Sequence, residues 1–250
     1  MNKSIHNVHL FYEEFGKGDN TIVLLHGWGQ SHAFWKDVIE RLSKEYHIYV
    51  VDLPGFGLSQ EPSKTWSVVD YAAFIHDFVA AVHVASPIIV GHSFGGRIAV
   101  AYASKYAVKK LVLYSNGGLP IVSLKSEFNR HVVVRLGKYF PPNFLYRSHT
   151  VLFRPKHYQN TIIVTSKRSR RMLDIYSQPF YNLEKHMKEI KAPTLIFVGS
   201  NDYITNPKIG KRTHQLITGS QLVKVPNATH FAHIESPTSF YKALERFLKG

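Results

Sequence analysis

The chain contains no cysteine, and this absence excludes several kinds of chemistry at once. Without thiols there can be no disulfide, no thiolate zinc site and no cysteine nucleophile, and nothing indicates an oxidising compartment. Long apolar runs are also missing, since no stretch approaches the roughly 18 apolar residues that a membrane-spanning helix needs. Residues 1–7 lack the basic start and apolar run of a signal peptide. We therefore expect a cytoplasmic protein with no membrane span.

Acidic residues are scarce relative to basic ones. The chain has 17 Asp and Glu against 31 Lys and Arg, which gives a formal net charge of +14 at pH 7. Most of the excess lies in residues 119–191, where 14 basic residues accompany only 4 acidic ones. Such a segment would attract an anionic substrate, an acidic carrier protein or an acidic lipid surface. A basic stretch is equally often a plain solvated surface, and both interpretations stay open.

The order of apolar runs predicts a mostly parallel sheet with crossover helices, because short apolar runs alternate with longer amphipathic stretches. The 250 residues suffice for one core with an inserted lobe. We predict strands at residues 8–14, 21–25, 47–51, 87–90, 110–114, 194–198 and 221–225, the first of them an antiparallel edge strand. We predict helices at residues 33–43, 68–82, 94–106, 207–216 and 237–248.

The alternation breaks between residues 119 and 191. Aromatic residues, a Pro-Pro pair at 141–142 and dense basic residues replace it. We predict an inserted helical cap there, with helices near residues 125–138 and 167–177, on a core formed by residues 1–118 and 192–250. The ten Phe and Tyr residues of this segment would line an acyl pocket under a basic rim.

Ser93 lies in a motif typical of a nucleophile elbow. Residues 89–97 are Ile-Val-Gly-His-Ser-Phe-Gly-Gly-Arg, so that Ser93 stands between glycines two positions before and two positions after it. An apolar strand precedes the motif and a helix-compatible stretch follows it. A serine on a sharp strand-to-helix turn has a strained backbone, and only glycine-sized neighbours leave room around it.

Two later loops supply partners for a serine nucleophile, which needs a base and a carboxylate that orients the base. Asp202 follows the predicted strand 194–198, and His230 follows the predicted strand 221–225. Both therefore come at the carboxyl end of a parallel strand, where open sheets bind their ligands. Two alternatives remain: Asp202 as the cap of the helix near Pro207, and His233 as the base.

Four motifs in this order resemble those of the α/β-hydrolase superfamily over nearly the whole chain. The run Leu-Leu-His-Gly-Trp-Gly at 24–29 resembles the His-Gly oxyanion turn, and Asp-Leu-Pro-Gly-Phe-Gly-Leu-Ser at 52–59 resembles the Asp-x-Pro-Gly-x-Gly-x-Ser loop. The elbow and the Asp202 and His230 loops complete the set. The resemblance implies an α/β-hydrolase fold, a mostly parallel central sheet flanked by helices with a helical cap inserted after the sixth strand.

The same resemblance implies a role for each matching residue. Ser93 would be the nucleophile, His230 the general base and then acid, and Asp202 the orienting carboxylate. The backbone N–H groups of Trp28 and Phe94 would form the oxyanion hole. No metal and no organic cofactor is implied, and Asp52 is expected to be structural.

A serine at the elbow favours hydrolysis of a carboxylic ester. The haloalkane dehalogenase and epoxide hydrolase branches of the superfamily use aspartate there. The N-terminal half also resembles the carboxylesterases that demethylate pimeloyl carrier-protein esters. We expect a small-molecule ester substrate, either anionic or attached to an acidic carrier protein if the basic cap takes part in binding. The candidate substrate-binding residues are His26, His92, Arg97, Arg168, Arg170 and Arg171, although the two histidines are more typical of loop supports.

Other functions compete with this one. Arg97 resembles the arginine of menaquinone-pathway lyases of the same fold, in which a serine triad eliminates pyruvate. Thioesterase and carbon–carbon bond hydrolase activities use the same residues. A non-enzymatic nucleic-acid-binding protein would use the basic cluster at residues 167–171, but a complete triad argues against it, and we expect no nucleic-acid partner.

Overall fold

The computed structural model describes residues 1–119 and 182–250, and these residues form one mixed sheet of eight strands. The strands are β1 (Asn2–Ile5), β2 (Val8–Phe15), β3 (Thr21–Leu25), β4 (His47–Val51), β5 (Ile88–His92), β6 (Lys110–Tyr114), β7 (Thr194–Gly199) and β8 (Gln221–Val225). Their spatial order is β1-β2-β4-β3-β5-β6-β7-β8. Strands β3 to β8 run parallel, whereas β1 and β2 are antiparallel to their neighbours. The predicted mostly parallel sheet is confirmed.

The central strands are mostly apolar because helices cover both faces of the sheet. In β3, Val23 and Leu25 face one core, while Ile22 and Leu24 face the other. The same alternation continues in the neighbouring strands. Each strand thus contributes to two hydrophobic cores, which explains why continuous apolar runs predicted these strands well.

Helices flank the sheet on both sides. They are α1 (Lys36–Leu42), α2 (Val68–Ala81), α3 (Phe94–Ala103), α4 (Glu184–Glu189), α5 (Pro207–Leu216), α6 (Ala232–Glu235) and α7 (Pro237–Lys249). Helices α2 to α5 pack on one face, and α1, α6 and α7 pack on the other. None of the helices within residues 1–119 and 182–250 combines the length and the apolar character required to cross a bilayer.

Helix starts follow the local sequence. Helix α2 begins with a capping box, in which Ser67 Oγ accepts from the Asp70 backbone N–H and the Asp70 carboxylate accepts from the Ser67 backbone N–H. Helix α5 begins with Pro207, and the side chain of Asn206 accepts from the Lys208 backbone N–H.

Several boundaries differ from the sequence-based predictions. Strand β1 was not predicted, because it has one buried residue, Ile5, and depends on backbone pairing with β2. β1 therefore forms the sheet edge, and β2, predicted as the edge strand, is the second strand. The predicted helix 33–43 is divided into α1 and a preceding 3-10 turn, His32–Trp35, in which Phe34 and Trp35 are both buried.

The predicted cap follows β6, the sixth strand, and most of it lies outside the described residues. This applies to the predicted cap helices and to Arg168, Arg170 and Arg171. Of the segment 119–191, the described part includes Leu119 and α4, whose Met187 is fully buried in the core shared with α2 and α3. The division into core and cap stays a prediction.

Candidate active site

Ser93 connects β5 to α3 in a conformation that non-glycine residues rarely adopt. Its φ is 51° and its ψ is −107°, outside the helical and extended regions. The Ser93 backbone N–H donates to the carbonyl of Tyr114 at the end of β6, 2.9 Å away. Its side chain is half-buried, at the carboxyl end of a central strand. The sequence motif therefore does form a strained turn between a strand and a helix.

The two flanking glycines are required by close backbone contacts. A Cβ atom on Gly91 would lie 2.4 Å from the carbonyl oxygen of Gly95, and one on Gly95 would lie 2.3 Å from the carbonyl oxygen of Leu25. These oxygens belong to backbone and cannot move aside cheaply. The turn therefore excludes side chains at both positions, which is the physical basis of the motif.

Asp202 and His230 form a direct hydrogen bond. Asp202 lies on the loop after β7 and His230 on the loop after β8, and His230 Nδ1 is 2.9 Å from Asp202 Oδ2. Because a carboxylate only accepts, Nδ1 carries the proton, and Nε2 of a neutral ring keeps its lone pair. The His230 ring lies beside the elbow, with its centroid 4.7 Å from that of His92, the neighbour of Ser93.

The Asp202 carboxylate is fully buried and bonded through both oxygens. Oδ1 accepts from the backbone N–H groups of Ile204 and Thr205, and Oδ2 accepts from His230 and from the Thr205 hydroxyl. Burial alone would raise the pKa of Asp202, but the bonds from His230 and Thr205, with the charge of His230, lower it below its usual value. Asp202 is therefore ionised at neutral pH.

Neither alternative to this pair fits the geometry. Asn206, not Asp202, caps α5. His233 is buried, and both of its ring nitrogens face other groups: Nδ1 lies 3.0 Å from the Tyr114 hydroxyl and Nε2 lies 3.4 Å from the Phe34 carbonyl. Burial lowers the pKa of His233 to about 3, so that it stays neutral.

The turn after β3 lies against the elbow. The Gly95 backbone N–H donates to the carbonyl of His26 at 3.1 Å. A Cβ atom on Gly27 would lie only 3.2 Å from Ser93 Cβ. Phe94 is the first residue of α3, so its N–H has no carbonyl one turn earlier in the helix. Trp28 and Phe94 are thus in adjacent segments beside Ser93.

His26 and His92 are completely buried. His26 Nε2 accepts from the Leu53 backbone N–H at 2.9 Å, and its Nδ1 lies 2.8 Å from the Gly27 carbonyl. His92 Nε2 lies 3.1 Å from the His230 carbonyl, and its Nδ1 lies 3.1 Å from Gln30 Oε1. These contacts connect the two rings to the loops around Ser93. Burial, and then the nearby histidines, hold the pKa of His92 well below its usual value.

Asp52 organises the loop after β4. Its buried carboxylate accepts from the backbone N–H and the ring Nδ1 of His32 and from the Leu58 backbone N–H. A Cβ on Gly57 would lie 2.0 Å from Asp52 Oδ2, which explains the glycine in the Pro-Gly-x-Gly motif. None of these hydrogen bonds of Asp52 involves Asp202 or His230.

Arg97 lies one helical turn after Ser93, with its guanidinium against Gly117 in the loop after β6. A Cβ on Gly117 would lie 2.6 Å from Arg97 Nε. Arg97 is half-buried at the same end of the sheet as Ser93. Arg168, Arg170 and Arg171 lie outside the described residues. Within the described ranges, no cluster of three or more His, Asp or Glu side chains is arranged to hold a metal ion.

Sequence inspection missed two residues that contact this site. Gln30 Oε1 accepts from the Gly27 backbone N–H at 2.7 Å, and Thr205 bonds to Asp202. Thr205 had a weak local signal, because a threonine three residues after an aspartate commonly joins the same turn. Gln30 had none, since its partners come from the fold.

Comparisons with known proteins identify the family of the chain. A model of the alpha/beta hydrolase family matches residues 22–243. The chain is 27% identical, over 95% of its length and 86% of the other protein, to a 2-hydroxy-6-oxo-6-(2'-aminophenyl)hexa-2,4-dienoic acid hydrolase of Metapseudomonas resinovorans. It is 25% identical, over 96% and 97%, to a pimeloyl-[acyl-carrier protein] methyl ester esterase of Wigglesworthia glossinidia brevipalpis.

A solved esterase from Exiguobacterium antarcticum has the same fold, with a TM-score of 0.86 at 19% identity over 100% of this chain and 98% of that one. The family model alone covers well over half of the chain. The mostly parallel sheet flanked by helices also agrees with the fold that the sequence resemblance implied. The chain belongs to the alpha/beta hydrolase family.

Proposed function

We propose that the protein hydrolyses carboxylic esters through an acyl-enzyme on Ser93. The observation that carries this proposal is the bond between His230 Nδ1 and Asp202 Oδ2 beside the strained Ser93 turn. This bond fixes the tautomer of His230 that leaves Nε2 free to accept a proton.

In the first half of the reaction, Ser93 Oγ attacks the ester carbonyl and its proton passes to His230 Nε2. Asp202 stays ionised and stabilises the imidazolium through Nδ1. The backbone N–H groups of Trp28 and Phe94 bind the oxyanion, and such donors typically contribute about 3 kcal/mol each to transition-state stabilisation. The tetrahedral adduct then collapses, His230 gives its proton to the departing alkoxide, and the alcohol leaves.

In the second half, water replaces the alcohol. His230 Nε2 takes a proton from water while the resulting hydroxide attacks the acyl carbonyl. Collapse returns the proton to Ser93 Oγ and releases the carboxylic acid. Each cycle therefore consumes one ester and one water and restores the starting form of the three residues.

The substrate is proposed to be anionic or attached to an acidic carrier protein. Support comes from the net charge of residues 119–191 and from the relative that acts on a pimeloyl carrier-protein methyl ester. Arg97, whose guanidinium lies at the end of the sheet that bears Ser93, is the described candidate for binding a carboxylate. Arg168, Arg170 and Arg171 are the candidates in the cap. His26 and His92 are assigned to loop support because both are buried.

Hydrolysis of a carbon–carbon bond is the second candidate, because the Metapseudomonas resinovorans relative is named as a dienoic acid hydrolase. The same three residues would serve, with a carbanion equivalent as the leaving group in place of an alcohol. Thioesterase activity needs no further residue. Pyruvate elimination is a weaker alternative, since only the position of Arg97 favours it.

The test compares wild type, Ser93→Ala and Ser104→Ala on p-nitrophenyl acetate and butyrate. Ser93→Ala is expected to lower kcat by about 10³-fold or more. Ser104 lies at the end of α3, where its hydroxyl donates to the Ala101 carbonyl, so Ser104→Ala is a matched control. Full activity of Ser93→Ala would contradict the proposal.

A substrate panel then separates the candidates. Esters of varied chain length, with and without a terminal carboxylate, measure acyl and charge preference. The turnover of a 2-hydroxy-6-oxo-dienoate is measured by its visible absorbance. Faster turnover of this compound than of any ester would favour carbon–carbon cleavage. Pyruvate release from the menaquinone-pathway intermediate would favour the lyase.

The cap contribution has its own test. Replacing Arg168, Arg170 and Arg171 by glutamate should lower kcat/KM for an anionic ester and leave a neutral ester of the same length nearly unaffected. Added salt should shrink the difference in the wild type. Equal effects on both esters, or no effect on either, would exclude charge steering by these residues.

A further inference from the structure

We propose that Thr205 is a positioning residue that limits how strongly Asp202 holds the protonated His230. This inference rests on the proposed function, because it assigns His230 the role of base. Thr205 lies on the loop after β7 and is buried. Its hydroxyl lies next to the hydrogen bond between Asp202 Oδ2 and His230 Nδ1, which orients the imidazole.

The distances around the hydroxyl decide where its proton goes. Thr205 Oγ1 lies 2.7 Å from Asp202 Oδ2, 3.1 Å from the Ser115 carbonyl and 3.3 Å from His230 Nδ1. A hydroxyl has one proton, and the first two neighbours are acceptors only. The Asp202 oxygen is both the nearer acceptor and the ionised one, so it receives the proton.

Asp202 Oδ2 therefore accepts two hydrogen bonds, one from Thr205 and one from His230. The two backbone N–H groups of Ile204 and Thr205 occupy Oδ1. Each donor stabilises the carboxylate charge and leaves less of it for the imidazolium. Thr205 thus competes with His230 for the same oxygen.

The competition matters in catalysis because His230 must be unprotonated before Ser93 attacks and must then release its proton to the leaving group. A carboxylate whose Oδ2 accepted from His230 alone would stabilise the imidazolium more. As the pH falls, kcat/KM would then begin to decrease at a higher pH. A hydrogen bond from His230 Nδ1–H to Thr205 Oγ1 would have the opposite effect, because it would stabilise the imidazolium. This effect is the smaller one, since the two atoms lie 3.3 Å apart.

Few other ionisable groups among the described residues face this pair. His92 approaches from β5 and is neutral, since burial, followed by the charge of His230, holds its pKa well below the usual value. Tyr203 lies next to Asp202, and burial, then the charges of Glu235 and Asp202, raises the pKa of its phenol. Glu235 itself accepts from the Thr229 backbone N–H and hydroxyl. None of these groups donates to Asp202 Oδ2 as Thr205 does.

The experiment measures kcat/KM for p-nitrophenyl butyrate from about pH 5 to about pH 9. Thr205→Val keeps the shape and removes the hydroxyl, and it should move the midpoint of the acidic limb upward by about 0.5 to 1 pH unit. Thr205→Ser restores a hydroxyl and should return the midpoint to the wild-type position, whatever its effect on rate.

The matched control is Thr213→Val in α5. Thr213 is also buried and its hydroxyl is bonded to Asn116 Nδ2, away from Asp202. The midpoint of the acidic limb in Thr213→Val should equal that of the wild type. If Thr205→Val does not fold, Thr205→Ala removes the same hydroxyl, and the same upward shift is expected.

A second readout does not depend on turnover. The His230 Nδ1 proton should give a low-field proton NMR signal, assigned by its loss in His230→Gln, and this signal should move further downfield in Thr205→Val as the bond to Asp202 tightens. The proposal for Thr205 would be overturned if Thr205→Val changed neither the position of the NMR signal nor the midpoint of the acidic limb. Equal shifts in Thr205→Ser and Thr205→Val would also overturn it. Loss of the Ser93 requirement would instead overturn the proposed function.

Discussion

The aromatic rings of Trp28 and Phe94 meet edge to face, with their centroids 5.3 Å apart and their planes at 83°. Trp28 belongs to the turn after β3, and Phe94 opens α3. The Trp28 ring also packs on Phe56 at 4.9 Å. The two segments proposed to supply oxyanion donors are therefore held together by their own side chains, which preorganises their amides before substrate binds.

Gly27→Ala should impair this arrangement. The new methyl group would lie 2.8 Å from Gln30 Oε1 and from His92 Nδ1, and 3.2 Å from Ser93 Cβ. We expect the turn to shift away from the elbow and kcat to fall by about 100-fold, with a smaller effect on KM. Steady-state kinetics on an ester tests this.

Gly219→Ala is the control for that experiment. Gly219 has a φ of +74°, and among the described residues no atom beyond the two adjacent residues lies within 4 Å of the position that a methyl group would take, so alanine there adds backbone strain without a clash. It should cost about 1 kcal/mol of unfolding free energy and leave kcat unchanged. A similar kcat in both variants would show that the turn after β3 is not part of the site.

Asp202→Asn and His233→Gln should separate the two histidines. Asparagine at 202 can present an N–H to His230 and favour the wrong tautomer, so kcat should fall by about 10⁴-fold. His233→Gln should leave kcat within a few-fold and lower the unfolding free energy by about 1 to 3 kcal/mol, because it disturbs the bond to Tyr114. A large loss of kcat in His233→Gln would contradict the proposed role of His230, and not His233, as the base.

Stability should fall as the pH falls below about 6.5. The pKa of His233 is lowered from 6.5 to about 3 by burial, so between these values the unfolded chain binds a proton that the folded chain does not. The unfolding free energy then decreases with falling pH by at most about 1.4 kcal/mol per pH unit for this residue. His92 acts in the same direction.

Urea unfolding at several pH values from neutral to about 5 measures this slope. His233→Gln should make it shallower than in the wild type. Identical slopes in the two proteins would mean that His233 is not held neutral in the folded state.

Gln30→Met should weaken the support under the elbow. Gln30 Oε1 accepts from the Gly27 N–H and faces His92 Nδ1, so methionine leaves both groups without this oxygen. We expect an unfolding free energy lower by about 1 to 3 kcal/mol and a kcat lower by about 10-fold. Gln60→Met is the control, because the exposed Gln60 also accepts from a backbone N–H, that of His9. Equal effects of the two substitutions would argue against a special role for Gln30.

The sheet and the elbow were predictable because their causes are local. A strand covered on both faces reads as a nearly continuous apolar run, as in Thr21–Leu25 and Lys110–Tyr114 after their first residues, and the predicted bounds of both agree with the structure. The glycines at 91 and 95 indicate the tight turn because backbone carbonyls exclude any larger residue.

Features that depend on tertiary contacts were not predictable. Strand β1 has almost no apolar pattern and forms because β2 offers an unpaired edge. The contact of Gln30 with His92 spans 62 residues, and that of Thr205 with Ser115 spans 90. No pattern within one segment indicates which distant carbonyl or ring will complete such a bond.

The His92–His230 contact joins residues 138 positions apart in the chain. Strands β5, β6, β7 and β8 must all pair in order before these two side chains can meet. Contacts of such high sequence separation form late, because the entropy of closing the intervening chain must be overcome first. Recovery of the proposed esterase activity during refolding should therefore lag behind recovery of helical circular dichroism, which would make turnover a reporter of the last step of folding.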